Sequence, residues 1–217
     1  MYDFEMPFKA VADFDRLQPK RKAVGFFAAK RAFDIVVSIL LLPILIIAAI
    51  ALLVLNPYFN RGPLFYVQTR MGQHCKAFKV LKFRSMTDVP VIARGADDPL
   101  ELDRITRLGH FLRKSRVDEL PQIFNVLRGQ MSLIGPRPDF FHHARRYVRT
   151  IPGYKERHSV RPGISGLAQT ALGYAEGNAA TVAKARVDIY YIEHASLRLE
   201  AWIVWRTLVT VLGRHGA

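Results

Sequence analysis

The residues best suited to chemistry are two adjacent carboxylates in the segment Asp118-Glu119-Leu120-Pro121. Aspartate is a preferred helix N-cap, and acidic residues and proline both suit the first helical turn. The segment by itself is therefore typical of a helix start. A carboxylate can also act as a nucleophile or bind a metal ion, so the charges around the pair must decide between the two interpretations.

Six basic residues precede or follow this acidic pair or end a predicted strand: Lys82, Arg84, Arg113, Lys114, Arg116 and Arg137. Guanidinium groups bind phosphate through paired donors, and a proline on each side of Arg137 restricts its backbone. A solvated basic face is the alternative interpretation. Nearby cations predict a lowered carboxylate pKa and an ionised pair. Such a carboxylate suits phosphoryl transfer, as a nucleophile or a magnesium ligand.

The chain as a whole is strongly basic. Its 217 residues include 32 Lys and Arg but only 18 Asp and Glu, which gives a formal net charge of +14. This charge predicts an anionic partner, either nucleic acid, an anionic lipid surface or a phosphorylated substrate. The single cysteine, Cys75, excludes an internal disulfide framework and a cysteine-rich zinc site. The length fits one domain with a core of its own.

A nearly unbroken apolar run extends from Phe33 to Leu55, with Asp34 and Ser38 as its only polar side chains. As one helix it would be about 34 Å long, enough to cross a bilayer core. Two features favour a re-entrant helix-break-helix instead. Pro43 lies near the middle, and basic residues flank both ends, whereas a true span concentrates positive charge on the cytoplasmic side. Proline also occurs in true spans, so a spanning helix is the alternative.

The rest of the chain predicts a mostly helical α+β fold. Leu64–Thr69 and Ala77–Arg84 predict a β-hairpin, and residues 88–99 and 161–166 predict loops. Apolar spacing predicts helices starting at Arg104, from near Asp118 to Gly129, and over 139–150, 178–195 and 197–212.

The last of these helices, Leu197–Leu212, carries Trp202 and Trp205 among aliphatic residues. A core helix is one interpretation. Because the N-terminal apolar run already indicates a membrane, an amphipathic helix at the membrane interface is favoured.

Six segments resemble the bacterial sugar transferases, specifically the small monotopic polyprenyl-phosphate phosphoglycosyl transferases of the exopolysaccharide-initiating type. In chain order they read KRAFDIVVSILLLPILIIA, GPLFYVQTRMG, FKVLKFRSM, RITRLGHFLRKSRVDELPQIFNVLRGQMSLIGPRP, RPGISGLAQ and DIYYIEHASLRLEAWIVWRTLVTVL. The match runs from about residue 30 to the C-terminus and is most specific over residues 104–138. Residues 1–29 and the loop near 88–100 lie outside it.

The resemblance implies an enzyme that moves a sugar-1-phosphate from a UDP-sugar onto a polyprenyl phosphate, such as undecaprenyl phosphate, and releases UMP. It implies that Asp118 is the nucleophile of a covalent phosphosugar intermediate and that Glu119 supports it. The implied metal is Mg2+, with Asp118 as a ligand. The implied phosphate- and substrate-binding residues are Lys82, Arg84, Arg113, Arg137, Arg161, Gly163, Gly166 and Gln169.

The implied organisation is a monotopic membrane protein. A basic arm covers residues 1–29, a re-entrant membrane helix covers 30–59, and a cytoplasmic or interfacial catalytic domain covers 60–217. The implied location is the bacterial inner membrane, with the catalytic domain facing the cytoplasm. Anionic membrane lipids are expected partners, nucleic acid is not, and a homodimer is compatible with the sequence.

The sequence departs from the usual family pattern at three places. Leu42-Pro43 replaces a common Ser-Pro, Arg116 replaces a small hydroxyl residue, and TALGYAEGNAA follows Gln169 where an Asn-Gly-Arg-Asn stretch is common. The last departure leaves the identity of the sugar open. Two non-enzymatic alternatives are a membrane-bound nucleic-acid-binding module, for which no known motif is visible, and a transmembrane scaffold with a basic domain.

Overall fold

Helices dominate a computed structural model that describes residues 24–87, 101–172 and 178–213. The helices within these ranges are α1 Val24–Phe59, α2 Arg107–Lys114, α3 Ile123–Leu127, α4 Phe141–Thr150, α5 Leu167–Leu172, α6 Asn178–His194 and α7 Leu197–Leu212. The strands are β1 Phe65–Met71, β2 Ala77–Phe83, β3 Ser132–Ile134 and β4 Gly163–Ser165. Short 3-10 helices cover Gln73–Cys75, Leu102–Arg104, Val117–Gln122 and Glu156–Ser159.

These elements confirm the predicted mostly helical α+β fold. The helices predicted from residues 104, 118, 139, 178 and 197 all form, within a few residues of their predicted bounds. The predicted loop over 88–99 and residues 1–23 of the predicted arm lie outside the described residues. Residues 24–29, the end of that arm, already belong to α1.

Strands β1 and β2 form the predicted antiparallel hairpin. Phe65 pairs with Phe83 at one end and Met71 with Ala77 at the other. The rings of Phe65 and Phe83 stack with their centroids 5.4 Å apart. The hairpin places Lys82, near the end of β2, against Glu119 of the 3-10 helix Val117–Gln122.

The prediction of a loop over residues 161–166 is wrong in part, because this segment contains strand β4. Ser132 and Ile134 of β3 pair in parallel with Gly163 and Ser165 of β4. The two backbone segments approach closely at Gly135, where a Cβ atom on Gly163 would lie 2.1 Å from the Gly135 nitrogen. A three-residue strand flanked by glycine and proline forms only because a distant partner completes its hydrogen bonds, and local sequence does not reveal that partner.

Helix α1 buries one stripe and exposes the rest of its apolar surface. The buried residues recur at helical spacing: Asp34, Ser38, Leu45, Leu52 and Asn56. Leu45 and Leu52 pack in one cluster with residues of β2, α2 and α3. The large aliphatic side chains on the other faces, such as Leu40 and Ile47, are 68% exposed. This pattern suits a helix with a protein domain on one side and lipid on the other.

Polar contacts hold α1 to the domain. Asp34 Oδ1 accepts hydrogen bonds from Ser132 Oγ at 3.1 Å and from the Leu133 backbone at 3.0 Å. Pro43 lies inside the helix, which continues on both sides of it. The re-entrant path of this segment therefore remains a prediction.

Helix α7 is amphipathic. Leu199 and Ile203 are buried against α5, α6 and β3, whereas Leu197, Trp205 and Leu208 are at least half exposed. One face therefore completes the core, and contact of the other face with a membrane interface remains a prediction.

Candidate active site

The acidic pair lies in the 3-10 helix Val117–Gln122, which runs directly into α3. Arg116 precedes it in the left-handed conformation, with φ 59° and ψ 13°, and so separates it from α2. Arg116 occupies the N-cap position, so the interpretation of Asp118 as a helix cap is wrong. Both carboxylates are buried, with 7% of Asp118 and 5% of Glu119 exposed. Burial of two neighbouring acids requires compensation by cations or a shifted pKa.

Glu119 receives that compensation from three cations. Lys82 Nζ lies 2.8 Å from Glu119 Oε1, and Arg137 Nη2 lies 2.6 Å from the same oxygen. Arg137 Nη1 and Arg116 Nη1 both lie 3.4 Å from Glu119 Oε2. Burial alone would raise the pKa of Glu119, but Arg137 and Lys82 outweigh burial and hold the pKa well below its usual range. Glu119 is therefore ionised and occupied on both oxygens.

The surroundings of Asp118 differ from those of Glu119. Its Oδ1 is buried without a hydrogen-bond partner among the described residues. Burial raises its pKa to about 6, Lys82 opposes this shift, and the charge on Glu119 adds to it. The expectation that the cations would lower both pKa values is therefore confirmed for Glu119 and wrong for Asp118, because desolvation outweighs the cations there. At neutral pH Asp118 is therefore a mostly ionised but poorly solvated carboxylate, a state that suits a nucleophile.

Asn125, which the sequence did not single out, bonds to the backbone of β2 on either side of Val80 and next to Lys82. The Leu81 backbone N–H donates to Asn125 Oδ1 at 3.1 Å, and Asn125 Nδ2 donates to the Lys79 carbonyl at 2.7 Å. The side-chain amide thus takes the place of a neighbouring strand on β2 and ties α3 to it. A buried asparagine among the apolar residues of α3 was the only local signal.

The predicted phosphate-binding residues divide into two groups. Lys82, Arg113 and Arg137 lie near enough to Asp118 to lower its pKa. Arg84 instead faces the chain just beyond α1. Its Nε donates to the Pro63 carbonyl at 2.8 Å, its Nη2 donates to the Asn60 carbonyl, and Asn60 Nδ2 donates back to the Arg84 carbonyl at 2.7 Å. These contacts join the end of α1 to β2.

The remaining predicted substrate residues surround β4. Arg161 is exposed and donates from Nε to the Gly129 carbonyl at 2.9 Å. Gly163 and Gly166 both lie against Gly135, and Gln169 Nε2 donates to the Ile164 carbonyl at 3.1 Å. Close backbone packing thus accounts for both glycines. A contact between these residues and a nucleotide-sugar remains a prediction.

The sequence profile described as bacterial sugar transferase matches residues 26–214. The chain belongs to this family. The matched range includes the acidic pair, its cations and the apolar run from Phe33 to Leu55, and the predicted family is confirmed.

Three relatives show what the family contains. The chain is 43% identical over 189 residues to the UDP-N-acetylgalactosamine-undecaprenyl-phosphate N-acetylgalactosaminephosphotransferase of Aeromonas hydrophila, covering 87% of this chain and 44% of that protein. It is 40% identical over 199 residues to the exopolysaccharide production protein PSS of Rhizobium leguminosarum bv. phaseoli, covering 85% of this chain and 96% of that protein. It is 40% identical over 199 residues to the UDP-glucose:undecaprenyl-phosphate glucose-1-phosphate transferase of Caulobacter vibrioides, covering 87% of this chain and 71% of that protein. The chain thus spans less than half of the Aeromonas protein.

The carboxylates of the site are compatible with a metal ion that one side chain and substrate phosphates would hold together. Among the described residues, no group of three or more His, Cys, Asp or Glu side chains could hold a metal by itself. Both oxygens of Glu119 are occupied by cations, so Asp118 is the carboxylate of the pair that could bind such an ion. Magnesium commonly binds through one or two carboxylates, water and substrate phosphates, so one carboxylate suffices.

Proposed function

We propose that this protein transfers a sugar-1-phosphate from a UDP-sugar to a polyprenyl phosphate, such as undecaprenyl phosphate, and releases UMP. The observation that carries the proposal is the contrast within the acidic pair. Glu119 is paired with Lys82, Arg137 and Arg116. Asp118 lies near Lys82, Arg137 and Arg113, but its buried Oδ1 has no hydrogen-bond partner in the part of the chain that the structure describes. The names of the relatives from Aeromonas and Caulobacter support the substrate class.

In the first step, Asp118 Oδ1 attacks the phosphorus that carries the sugar. A new oxygen–phosphorus bond forms, and the bond from that phosphorus to the bridging oxygen of the diphosphate breaks. UMP leaves with the bridging oxygen and the bonding electron pair. Because the carboxylate is poorly solvated, little hydration must be removed before it attacks.

In the second step, an oxygen of the polyprenyl phosphate attacks the same phosphorus. The bond between phosphorus and Asp118 breaks, the carboxylate is restored, and a polyprenyl diphosphate sugar is released. Splitting the reaction in two allows the water-soluble nucleotide to leave before the lipid phosphate enters.

The cations of the site have a common role. Lys82, Arg113 and Arg137 provide positive charge where a diphosphate would otherwise repel the attacking carboxylate. Glu119 holds Lys82 and Arg137 in place through its two oxygens. A magnesium ion bound through Asp118 and the substrate phosphates would offset further negative charge on the diphosphate.

The membrane arrangement we propose is monotopic and re-entrant. Near the start of α1, Lys30 Nζ lies 2.6 Å from Glu200 Oε2, and just after its end Asn60 bonds to Arg84. Both ends of the apolar helix therefore contact the same folded domain. These contacts support an arrangement in which the domain and both ends of the helix lie on one side of the bilayer.

The proposed location is the bacterial inner membrane, with the catalytic domain on the cytoplasmic face, where UDP-sugars are available. The reaction would be the first membrane step in the synthesis of an exopolysaccharide, a capsule or an O-antigen. The name of the Rhizobium relative supports the first of these.

The test is UMP release from a panel of UDP-sugars with magnesium, with and without undecaprenyl phosphate. Wild-type protein should turn over at least one donor and acquire a radiolabelled phosphosugar when the acceptor is absent. Asp118→Asn should abolish both signals, and the exposed Asp103→Asn should change neither. Labelled Asp118→Asn protein would place the nucleophile elsewhere. Wild-type turnover that persists in EDTA would contradict the magnesium proposal.

A further inference from the structure

The turn that contains Arg137 is held from outside by hydrogen bonds to three consecutive carbonyls. Pro136 and Pro138 have no N–H, so the turn cannot hold itself through backbone donors at those positions. The Pro136 carbonyl accepts from the Gly163 backbone at 3.0 Å, and the Pro138 carbonyl accepts from Arg70 Nη1 at 2.9 Å. The carbonyl of Arg137 itself accepts from Arg157 Nη2 at 2.8 Å.

Arg157 is immobilised by partners on every side of its guanidinium. The residue is 3% exposed. Its Nε donates to Asp188 Oδ2 at 2.9 Å, and its Nη2 lies 2.7 Å from the same oxygen. Its Nη1 donates to Asp139 Oδ2 and to the Tyr154 hydroxyl, the latter at 2.9 Å. A planar guanidinium held at all three nitrogens has one orientation available to it.

The same network holds the residue that follows the turn. Tyr154 donates its hydroxyl hydrogen to Asp139 Oδ2 at 2.5 Å, and the Asp139 carbonyl accepts from the Met71 backbone at 3.0 Å. The turn is thus held at its carbonyls and at the side chain of Asp139. The Arg137 side chain extends from this turn, and its Nη2 lies 2.6 Å from Glu119 Oε1.

We propose that Arg157 is a positioning residue for the transfer reaction, which acts through Arg137. By holding the Arg137 carbonyl, it sets the point from which the Arg137 guanidinium reaches Glu119 and the charge of Asp118. This inference rests on the proposed function, because the effect of Arg157 is measured as a change in the kcat of the transfer reaction. The Arg157 guanidinium pairs with Asp188 of α6 and with Asp139, not with Asp118 or Glu119.

A purely structural role would be to join the 3-10 helix Glu156–Ser159 to α6 through the Arg157–Asp188 pair. That role predicts that loss of Arg157 lowers activity by the same factor whether or not Arg137 is present. A role through Arg137 predicts that the loss has little effect once Arg137 is gone. A double-mutant cycle separates the two.

The experiment measures kcat at saturating UDP-sugar for wild type, Arg157→Lys, Arg137→Gln and the double variant. Lysine keeps the buried charge but offers one nitrogen in place of three. In the wild-type background Arg157→Lys should lower kcat by about tenfold or more, as expected for a displaced catalytic side chain. In the Arg137→Gln background the same change should cost less than about threefold. Equal factors in the two backgrounds would overturn the proposal.

Asp188→Asn provides a second cycle if Arg157→Lys does not fold. It keeps the shape of the side chain but removes the negative charge that faces Arg157, and so weakens the hold on Arg157. The change should lower kcat severalfold only when Arg137 is present. Equal factors, or no change in either background, would overturn the proposal.

Arg61→Lys is the matched control. Arg61 also donates to a backbone carbonyl, that of Pro57 at 3.2 Å, but it is exposed and lies beyond the end of α1. It should leave kcat unchanged in both backgrounds. Failure of the wild type to release UMP from any donor would count against the proposed function, whereas an active wild type with additive variants would count against the role of Arg157 alone.

Discussion

Asp118 and Glu119 are neighbours in the chain and both are buried, yet their pKa values shift in opposite directions. The pKa of Asp118 is raised to about 6, and that of Glu119 lies well below its usual range. The difference arises because the three close ion pairs go to Glu119. The site thus separates a carboxylate that is paired with the cations from one whose Oδ1 is buried without a hydrogen-bond partner among the described residues.

Asp118→Asn should make the protein more stable at pH 7 while abolishing activity. The folded-state pKa of Asp118 is about 6 and the ordinary value is 3.8. Protonation of Asp118 therefore contributes fully to stability below about pH 3.8, and this contribution to the free energy of unfolding is lost as the pH rises through 6. At pH 7 the charged side chain therefore costs about 1–3 kcal/mol, which a neutral amide avoids. Thermal unfolding should show a higher Tm than wild type, and a lower Tm would contradict the prediction.

The rate of the first step should fall in weakly acidic solution. The nucleophile must be ionised, and the pKa of Asp118 is about 6 in the folded protein. Single-turnover formation of the phosphosugar protein should therefore decline below about pH 6, tenfold for each pH unit well below the pKa. An intermediate whose rate of formation stayed constant down to pH 4 would show that a different group attacks.

Glu119→Gln should have the opposite effect on stability from Asp118→Asn. Its ion pairs stabilise the fold above the ordinary pKa of 4.5, and this contribution is lost only as the pH falls through the much lower folded-state pKa. The amide leaves Lys82 and Arg137 without a counter-charge, at a cost on the order of 3 kcal/mol. Both Tm and kcat should fall. A variant with wild-type Tm would mean that the cations find other partners.

Gly163→Ala and Gly166→Ala should destabilise the fold before they affect substrate binding. A Cβ atom would lie 2.1 Å from the Gly135 nitrogen in the first case and 2.3 Å from the Gly135 oxygen in the second. Each variant should lower Tm by several degrees. Gly25→Ala is the control, since no heavy atom of the described part of the chain lies within 4 Å of its added Cβ. Normal stability combined with a raised KM would instead support direct substrate contact.

The two ends of α1 should lie on the same side of the membrane. Ala29→Cys and Arg61→Cys place single thiols at exposed positions near each end, in a Cys75→Ser background. A membrane-impermeant maleimide should label neither in intact spheroplasts and both after the inner membrane is permeabilised. Wild-type Cys75 reports the side of the catalytic domain. Labelling of one introduced cysteine in intact spheroplasts would indicate a spanning helix.

Local patterns predicted most of the secondary structure but not the pairing of distant segments. The hairpin and the helices follow from side-chain periodicity, which each segment carries within itself. Strand β4 was predicted as a loop because its hydrogen bonds go to Ser132 and its neighbours, about thirty residues away. The roles of Asn125 and Arg157 were missed for the same reason, since their partners lie on other elements.

The sequence by itself determined the family, the apolar N-terminal segment, the basic character of the chain and the candidate pair Asp118-Glu119. These depend on residue identity and spacing, which the chain carries before it folds. Only the tertiary structure decided which of the two carboxylates forms ion pairs with the cations and which keeps a buried oxygen without a hydrogen-bond partner in the described ranges. Lys82 comes from β2, Arg137 from a proline-flanked turn and Arg116 from the link after α2, and their approach to Glu119 depends on how those segments pack. Electrostatic pairing depends on distances of a few ångströms, which sequence spacing does not specify.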